Sequence, residues 1–279
     1  MRRLHGVTAA VTAVLVFAGA AAVAQEAPLP TPAQDVAPGA NQAGVVHVNA
    51  MKNPEMHSYR AIVAGLDKFD ELHAMAPAVP RLLFAARARN GGSLSGEVPS
   101  ARLAADDFTL PLAVDAEARF EVPRNRQAWD SKAELVLSRK RKEVRLWPSI
   151  RTPGLPENQR RLGDVRLECQ VLVAVAKEEA PFYVVALANT VLLTGDWCSF
   201  LKDRERTWDV HLPAPLASAV LRDGERSIAL KVKDNRVEVP IGDAGWSNDA
   251  LIETVFGTPD EAAAPAPIRT AAETPRTGP

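Results

Sequence analysis

Three of the five histidines and three of the four methionines fall between residues 47 and 75: His47, His57, His73, Met51, Met56 and Met75. In an exported protein, imidazole together with thioether is the donor set of a copper site. On one helix, however, His57 and His73 would stand about 24 Å apart along the axis and on nearly opposite faces. Met56-His57 alone offers too few ligands. Core or surface roles are therefore expected, with no metal and no cofactor. A second group, Asp106, Asp107, Asp115 and Glu117, has the oxygen chemistry that calcium takes, but the EF-hand spacing with its glycine is missing. These carboxylates read as turn residues. Gly91-Gly92-Ser93-Leu94-Ser95-Gly96 departs from the G-x-S-x-G elbow, because Ser95 occupies the position of the closing glycine. His211 is the only histidine beyond residue 73, and the sequence holds no HExxH, no CxxC and no Gly-rich phosphate loop. No catalytic residue is expected. A hydrolase with a dispersed site is the alternative, and a copper-handling protein a weaker one.

Charge says more by its distribution than by its total. The chain has 33 basic and 34 acidic side chains, a near balance that argues against a nucleic-acid binder. Between Arg119 and Arg166, 13 residues are basic and 6 acidic. Arg139, Lys140, Arg141, Lys142 and Arg145 are the densest part. They form a candidate face for an anionic envelope polymer or another, acidic envelope protein.

The elements that must position these residues follow from periodicity. Met1-Arg2-Arg3 and the apolar run from Val7 to Val23, with Ala22-Val23-Ala24 before Gln25, have the form of a secretory signal peptide over 1–24. A retained membrane anchor is the other reading. Periplasmic or secreted localisation follows, with no stable membrane span once the segment is cleaved. In that oxidising setting Cys169 and Cys198 read as a disulfide, since two cysteines without a nearby histidine make a poor zinc set.

Residues 25–44 and 258–279 carry nine of the 22 prolines without apolar periodicity and read as disordered tethers. Within 45–80, Tyr59, Ile62, Val63, Leu66, Phe69 and Leu72 recur at helical steps, so the pattern predicts an amphipathic helix from Pro54 to Ala76, capped by Asn53. Over 81–168 the period becomes two, as in Leu82, Phe84 and Ala86, then Leu110, Leu112 and Val114, then Leu135 and Leu137. Residues 169–203 are expected to hold a helical insert, in which FYVVALANTVLL forms a buried helix.

An internal repeat organises the rest. Leu103, Leu110, Leu112 and Val114 align with Leu221, Ile228, Leu230 and Val232, and Phe120-Glu121-Val122-Pro123 aligns with Val237-Glu238-Val239-Pro240. Trp129 and Trp246 each lie six residues beyond, and Ala133 and Leu135 match Ala250 and Ile252. The fold expected is mainly β: two related antiparallel β-units, 81–168 and 204–257, with an N-terminal amphipathic helix and the helical insert between them. Both tryptophans are expected in packing roles.

The first unit also resembles the carboxypeptidase regulatory-like, transthyretin-like domains of bacterial exported proteins. The residues carrying this are Leu94-Ser95-Gly96-Glu97-Val98, the turn Asp115-Ala116-Glu117-Ala118-Arg119-Phe120 and the closing phrase Leu162-Gly163-Asp164-Val165-Arg166-Leu167. Ala118 stands where that family has glycine. The resemblance implies a prealbumin-like β-sandwich that serves as an accessory, binding or spacer module, with no particular activity.

Overall fold

Residues 54–149 and 159–256 build one arrangement twice. The structure, a computed structural model, describes residues 52–198 and 207–257. The signal segment, His47, Met51, both proline-rich tethers and the end of the expected insert lie outside the described residues. The described residues all belong to one structural unit.

In chain order the first half consists of β1 (Pro54–Ser58), α1 (Tyr59–Glu71), β2 (Leu83–Ala88), β3 (Ala101–Ala105), β4 (Phe108–Leu112), β5 (Arg119–Phe120), α2 (Arg126–Asp130), β6 (Glu134–Lys140) and β7 (Val144–Ser149). The second half consists of β8 (Gln159–Arg161), α3 (Leu162–Glu179), α4 (Phe182–Leu192), β9 (Trp208–His211), β10 (Leu216–Asp223), β11 (Arg226–Ala229), β12 (Val232–Lys233), β13 (Arg236–Val239) and β14 (Leu251–Phe256). Strand outweighs helix, and the strands form four antiparallel sheets. Two of them run β1-β6-β3-β4 and β8-β14-β10-β11, the same order in both halves. The other two run β5-β2-β7 and β12-β13-β9.

Register makes the correspondence exact to the residue. Leu103 pairs with Leu110 and with Leu135; Leu221 pairs with Ile228 and with Ile252. Val114 bridges Phe120 as Val232 pairs with Val237. The likeness extends upstream of the sequence repeat. β1 lies beside β6 as β8 lies beside β14, and each leads directly into a helix. The Tyr59 amide donates to the Ala133 carbonyl at 2.9 Å, and the Leu162 amide donates to the Ala250 carbonyl at 2.8 Å. These four residues occupy matching positions.

Three expectations are corrected here. The first helix starts at Tyr59 rather than Pro54, because Pro54–Ser58 pairs as an edge strand with β6; Ser58, not Asn53, caps it, accepting from the Ala61 amide. The closing phrase Leu162–Leu167 is not the end of a β-unit but the first turns of α3. Gln159-Arg160-Arg161 pairs with β14, so strand and helix together open the second half, and α3 is the counterpart of α1 rather than an insert. Trp129 is exposed, with Arg60 over its ring at 4.9 Å, whereas Trp246 is buried beneath Arg226 at 3.8 Å.

Two apolar cores result. The first gathers Tyr59, Ile62, Phe84, Leu103, Phe120 and Leu135; the second gathers Val210, Leu216, Leu221, Val237, Trp246 and Ile252. Helix α3 feeds both, sending Leu167 and Val171 into the first and Leu162, Val165 and Cys169 into the second. Its start is seated closely: a Cβ on Gly163 would overlap the Met75 carbonyl oxygen, which only glycine allows. Its inward carboxylates hold the connection between the halves. Asp164 accepts from the Thr152 amide at 2.7 Å and its hydroxyl at 2.9 Å, and Glu168 accepts from the Ile150 amide at 3.2 Å. Cys169 and Cys198 form a disulfide, as expected, tying the chain beyond α4 back to α3.

Candidate anion-binding cleft

Strand alternation sends successive side chains to opposite faces of a sheet. On β2 and β7, Phe84, Ala86, Val144 and Leu146 enter the first core. Residues of the opposite parity, Arg87, Arg145 and Trp147, take the other face. Arg87 and Arg145 are direct cross-strand partners. Both guanidiniums lie over the Trp147 ring, 5.6 and 4.5 Å from its centroid. Trp147 in turn packs against Trp208 of β9, with centroids 6.0 Å apart. A cationic, aromatic face of the first half thus meets the edge strand of the second.

Beside this contact lies a cleft of about 560 Å³. Its charged lining is dominated by Arg87, Arg145, Arg151, Arg160 and His211. Glu117 and Glu157 also reach its wall, but Glu117 pairs with Arg119 at 3.0 Å. Buried Glu168 answers part of the positive charge, 2.9 Å from Arg160 and 3.9 Å from Arg87. Arg151 donates to the carbonyls of Leu155 and Pro156. Arg145 makes no ion pair and no hydrogen bond with any described residue.

The donors of this region are under-satisfied. Among the described residues, Arg145 Nε, Arg160 Nε, and the indole N–H groups of Trp147 and Trp208 are buried without an acceptor. Burial, reinforced by neighbouring arginines, lowers the affinity of Arg87 and Arg145 for their protons, and it lowers His211 below the usual imidazole value, with Arg145 adding to the effect. Like charges directly opposite in a sheet, and buried donors without acceptors, both cost stability. An anion in the cleft relieves both.

The loop after β2 closes the site. Gly91 has φ +77°, and a Cβ there would overlap the His211 imidazole. Glycine is required on both counts. Its carbonyl accepts from Asn235 Nδ2 at 2.6 Å, and the same amide group reaches the Leu212 carbonyl at 2.8 Å. Ser93 Oγ donates to the Pro213 carbonyl at 3.3 Å. The Gly91-Gly92 break thus clasps the two halves together.

Of the five sequence-selected basic residues, only Arg145 lines this cleft. Arg139, Lys140, Arg141 and Lys142 lie at the turn that carries the chain from β6 in one sheet to β7 in another, where Arg139 reaches the Ser95 carbonyl and Arg141 lies 3.8 Å from Glu55. Arg151 and Arg160 belonged to the basic segment, but Arg87 and His211 lay far outside it. The signal that could have found Arg87 is its parity on a strand whose alternate residues are apolar.

The remaining candidates are engaged elsewhere. Both His57 ring nitrogens face carboxylates, Glu179 at 2.7 Å and Glu55 at 3.2 Å. Burial opposes its protonation, but the two hydrogen bonds outweigh it and raise its pKa to about 9. His73 donates to the Val79 carbonyl at 2.7 Å and packs on Phe69. Among the described residues no three His, Cys, Asp or Glu side chains are placed to hold a metal. Asp115 accepts from the amides of Glu117 and Arg119 and pairs with the Arg119 side chain, bonds that outweigh burial and hold its pKa down. It builds the turn in which Ala118 has φ +57°, the conformation suited to the resembling family's glycine.

Set beside known protein families, curated proteins and solved structures, the chain matches none.

Proposed function

We propose that this chain is an exported, non-enzymatic binding protein of the cell envelope that holds an anionic ligand in the cleft between its two halves. One observation carries the reading: Arg145, half-buried and directly opposite Arg87, has neither an ion pair nor a hydrogen bond among the described residues, and its Nε is buried without an acceptor there. A carboxylate or phosphate group supplies what these donors lack, in the paired geometry that guanidinium favours. The cleft suits a small multiply charged anion or one segment of an acidic polymer. The signal-like Met1–Ala24 segment and the Cys169–Cys198 bond support export. A β-rich accessory module, as the prealbumin-like resemblance implies, fits this role.

The hydrolase alternative has Ser93 and His211 on one wall. Nucleophilic catalysis needs the hydroxyl hydrogen-bonded to its base. Ser93 instead donates to the Pro213 carbonyl, and the binding reading is preferred.

Titration calorimetry with citrate and with a short poly-glutamate peptide, at low and at physiological salt, tests the proposal. Binding weakened at least tenfold by Arg145→Met, and weakened by salt, is the expected result. Absence of binding to both probes at low salt, or affinity unchanged in the variant, overturns it.

A further inference from the structure

Helix α4 reverses the usual relation between hydropathy and exposure. From Ala180 to Gly195 no residue is charged. A run of this kind is expected in a core, yet no residue of α4 is buried. Val185, Ala188, Asn189 and Leu192, at helical steps, are half-buried. Phe182, Leu187, Val191 and Leu193 project outward, 84%, 65%, 70% and 90% exposed. The expectation of a buried helix is thus corrected: α4 is a surface helix whose outward face is apolar.

Two of its polar side chains are hydrogen-bonded within the protein. Thr190 Oγ donates to the Ala186 carbonyl at 2.9 Å, and Asn189 Oδ1 accepts from the Trp197 indole at 2.8 Å. Such internal pairing is what an apolar solvent demands. Both flanks are tied to α3: Ala180-Pro181 joins them at one end, and at the other Lys177 donates to the Gly195 carbonyl while Cys198 is bonded to Cys169. A helix of 11 residues is about 16 Å long, roughly half the apolar thickness of a bilayer, and no described helix is long and apolar enough to cross one. Held at both ends, it can only lie along a surface.

We propose that α4 seats in the acyl boundary of one membrane leaflet, lying in its plane. Charge selects this occupant over a second copy of the chain. Lys177, Glu178 and Asp196 border the helix while Glu179 is held by His57, leaving an acidic balance that a two-fold interface would set against itself. The same acidic border gives α4 no preference for anionic lipid. Tyr183, exposed at the first turn, has the amphipathic ring that favours the headgroup level. The Val7–Val23 run independently directs this chain to a membrane, for export or as an anchor.

The experiment uses the full chain with Leu187→Cys, labelled with an environment-sensitive dye while Cys169–Cys198 remains bonded. A second protein labelled at Asp106→Cys, in the exposed β3–β4 turn, is the reference. Vesicles of zwitterionic phosphatidylcholine, with and without brominated acyl chains, are added at low and high salt. A blue shift and bromine quenching at position 187 but not 106, insensitive to salt, is the expected result. Val184→Glu in the same labelled protein should reduce the bound fraction at least tenfold. No shift at 187, a shift that needs anionic lipid, or one that grows with protein concentration without vesicles overturns the proposal. So does vesicle binding that Val184→Glu leaves intact, which assigns attachment to Val7–Val23 alone.

Discussion

Replacing Arg145 with methionine should stabilise the ligand-free protein while removing its ability to bind. Arg87 and Arg145 are cross-strand partners whose guanidiniums both lie over Trp147. Those distances place the two charges within about 10 Å, where they repel by about 1.5 kcal/mol at an effective dielectric constant near 20. The buried Arg145 Nε, without an acceptor among the described residues, adds about 1 kcal/mol. Stacking of the guanidinium on Trp147 returns about 1 kcal/mol. Methionine keeps an apolar stem over the indole and discards the charge. At low salt and without added anion, Arg145→Met should therefore raise the unfolding free energy by about 1.5 kcal/mol, or Tm by about 4 °C for a chain of this size. Raising the ionic strength should shrink that difference, because the pair is only half-buried. Citrate should reverse it: at 100 times Kd the wild-type protein gains about 2.7 kcal/mol and the variant gains far less. Urea unfolding followed by tryptophan fluorescence measures each quantity. A variant less stable than wild type in anion-free buffer, or one that gains as much from citrate, refutes the reasoning.

Other expectations follow from contacts away from the cleft. The His57 pKa is about 9 in the folded protein against an ordinary 6.5, so its contribution is fully present below about pH 6.5 and is lost as pH rises through 9. Unfolding free energy should fall by roughly 2–3 kcal/mol between pH 6.5 and 9.5 in the wild-type protein, a decline that His57→Gln should lack. Gly163→Ala drives a methyl group into the Met75 carbonyl oxygen and should destabilise by about 3 kcal/mol, measured by urea unfolding; a loss under 1 kcal/mol contradicts the close seating of α3. Reducing Cys169–Cys198 opens a loop closed across a separation of 29 residues and should cost roughly 3.5 kcal/mol, seen as a lower urea midpoint. Mass spectrometry after alkylation of unfolded, unreduced protein should find no modified cysteine.

What the sequence made legible was what repeats at a short period. The hairpin β3–β4 and its copy β10–β11 announce themselves by alternation, and the matched tryptophans identify the repeat. The two opening strands did not. Gln159-Arg160-Arg161 is three polar residues at a sheet edge, and Pro54–Ser58 looked like the first turn of the helix it precedes. Without β8, the start of α3 was read as the close of a β-unit. The cleft was even less visible, since Arg87, Arg145, Arg160 and His211 come from different strands and share no spacing. Only pairing register brings Arg87 opposite Arg145, and register is a property of the sheet. Helix α4 misled for a different reason: hydropathy reports which residues avoid water, not what shields them from it.

A chain that carries the same hairpin twice also carries a wrong answer to its own folding problem. Leu103 has Leu110 and Leu135 as neighbours and Leu221 has Ile228 and Ile252, so the apolar pattern of β14 matches what β3 pairs with as well as what β10 pairs with. Exchange between segments of matching apolar pattern is a common trap for repeated sequences. The two helices break the degeneracy. Helix α1 has Tyr59 hydrogen-bonded at its start to the Pro123 carbonyl and the Asn125 amide, whereas α3 has the Asp164 and Glu168 contacts to residues 150 and 152 and the bond to Cys198. Each helix thus labels its own sheet, and commitment of α3 to both cores decides which copy of the strand belongs where.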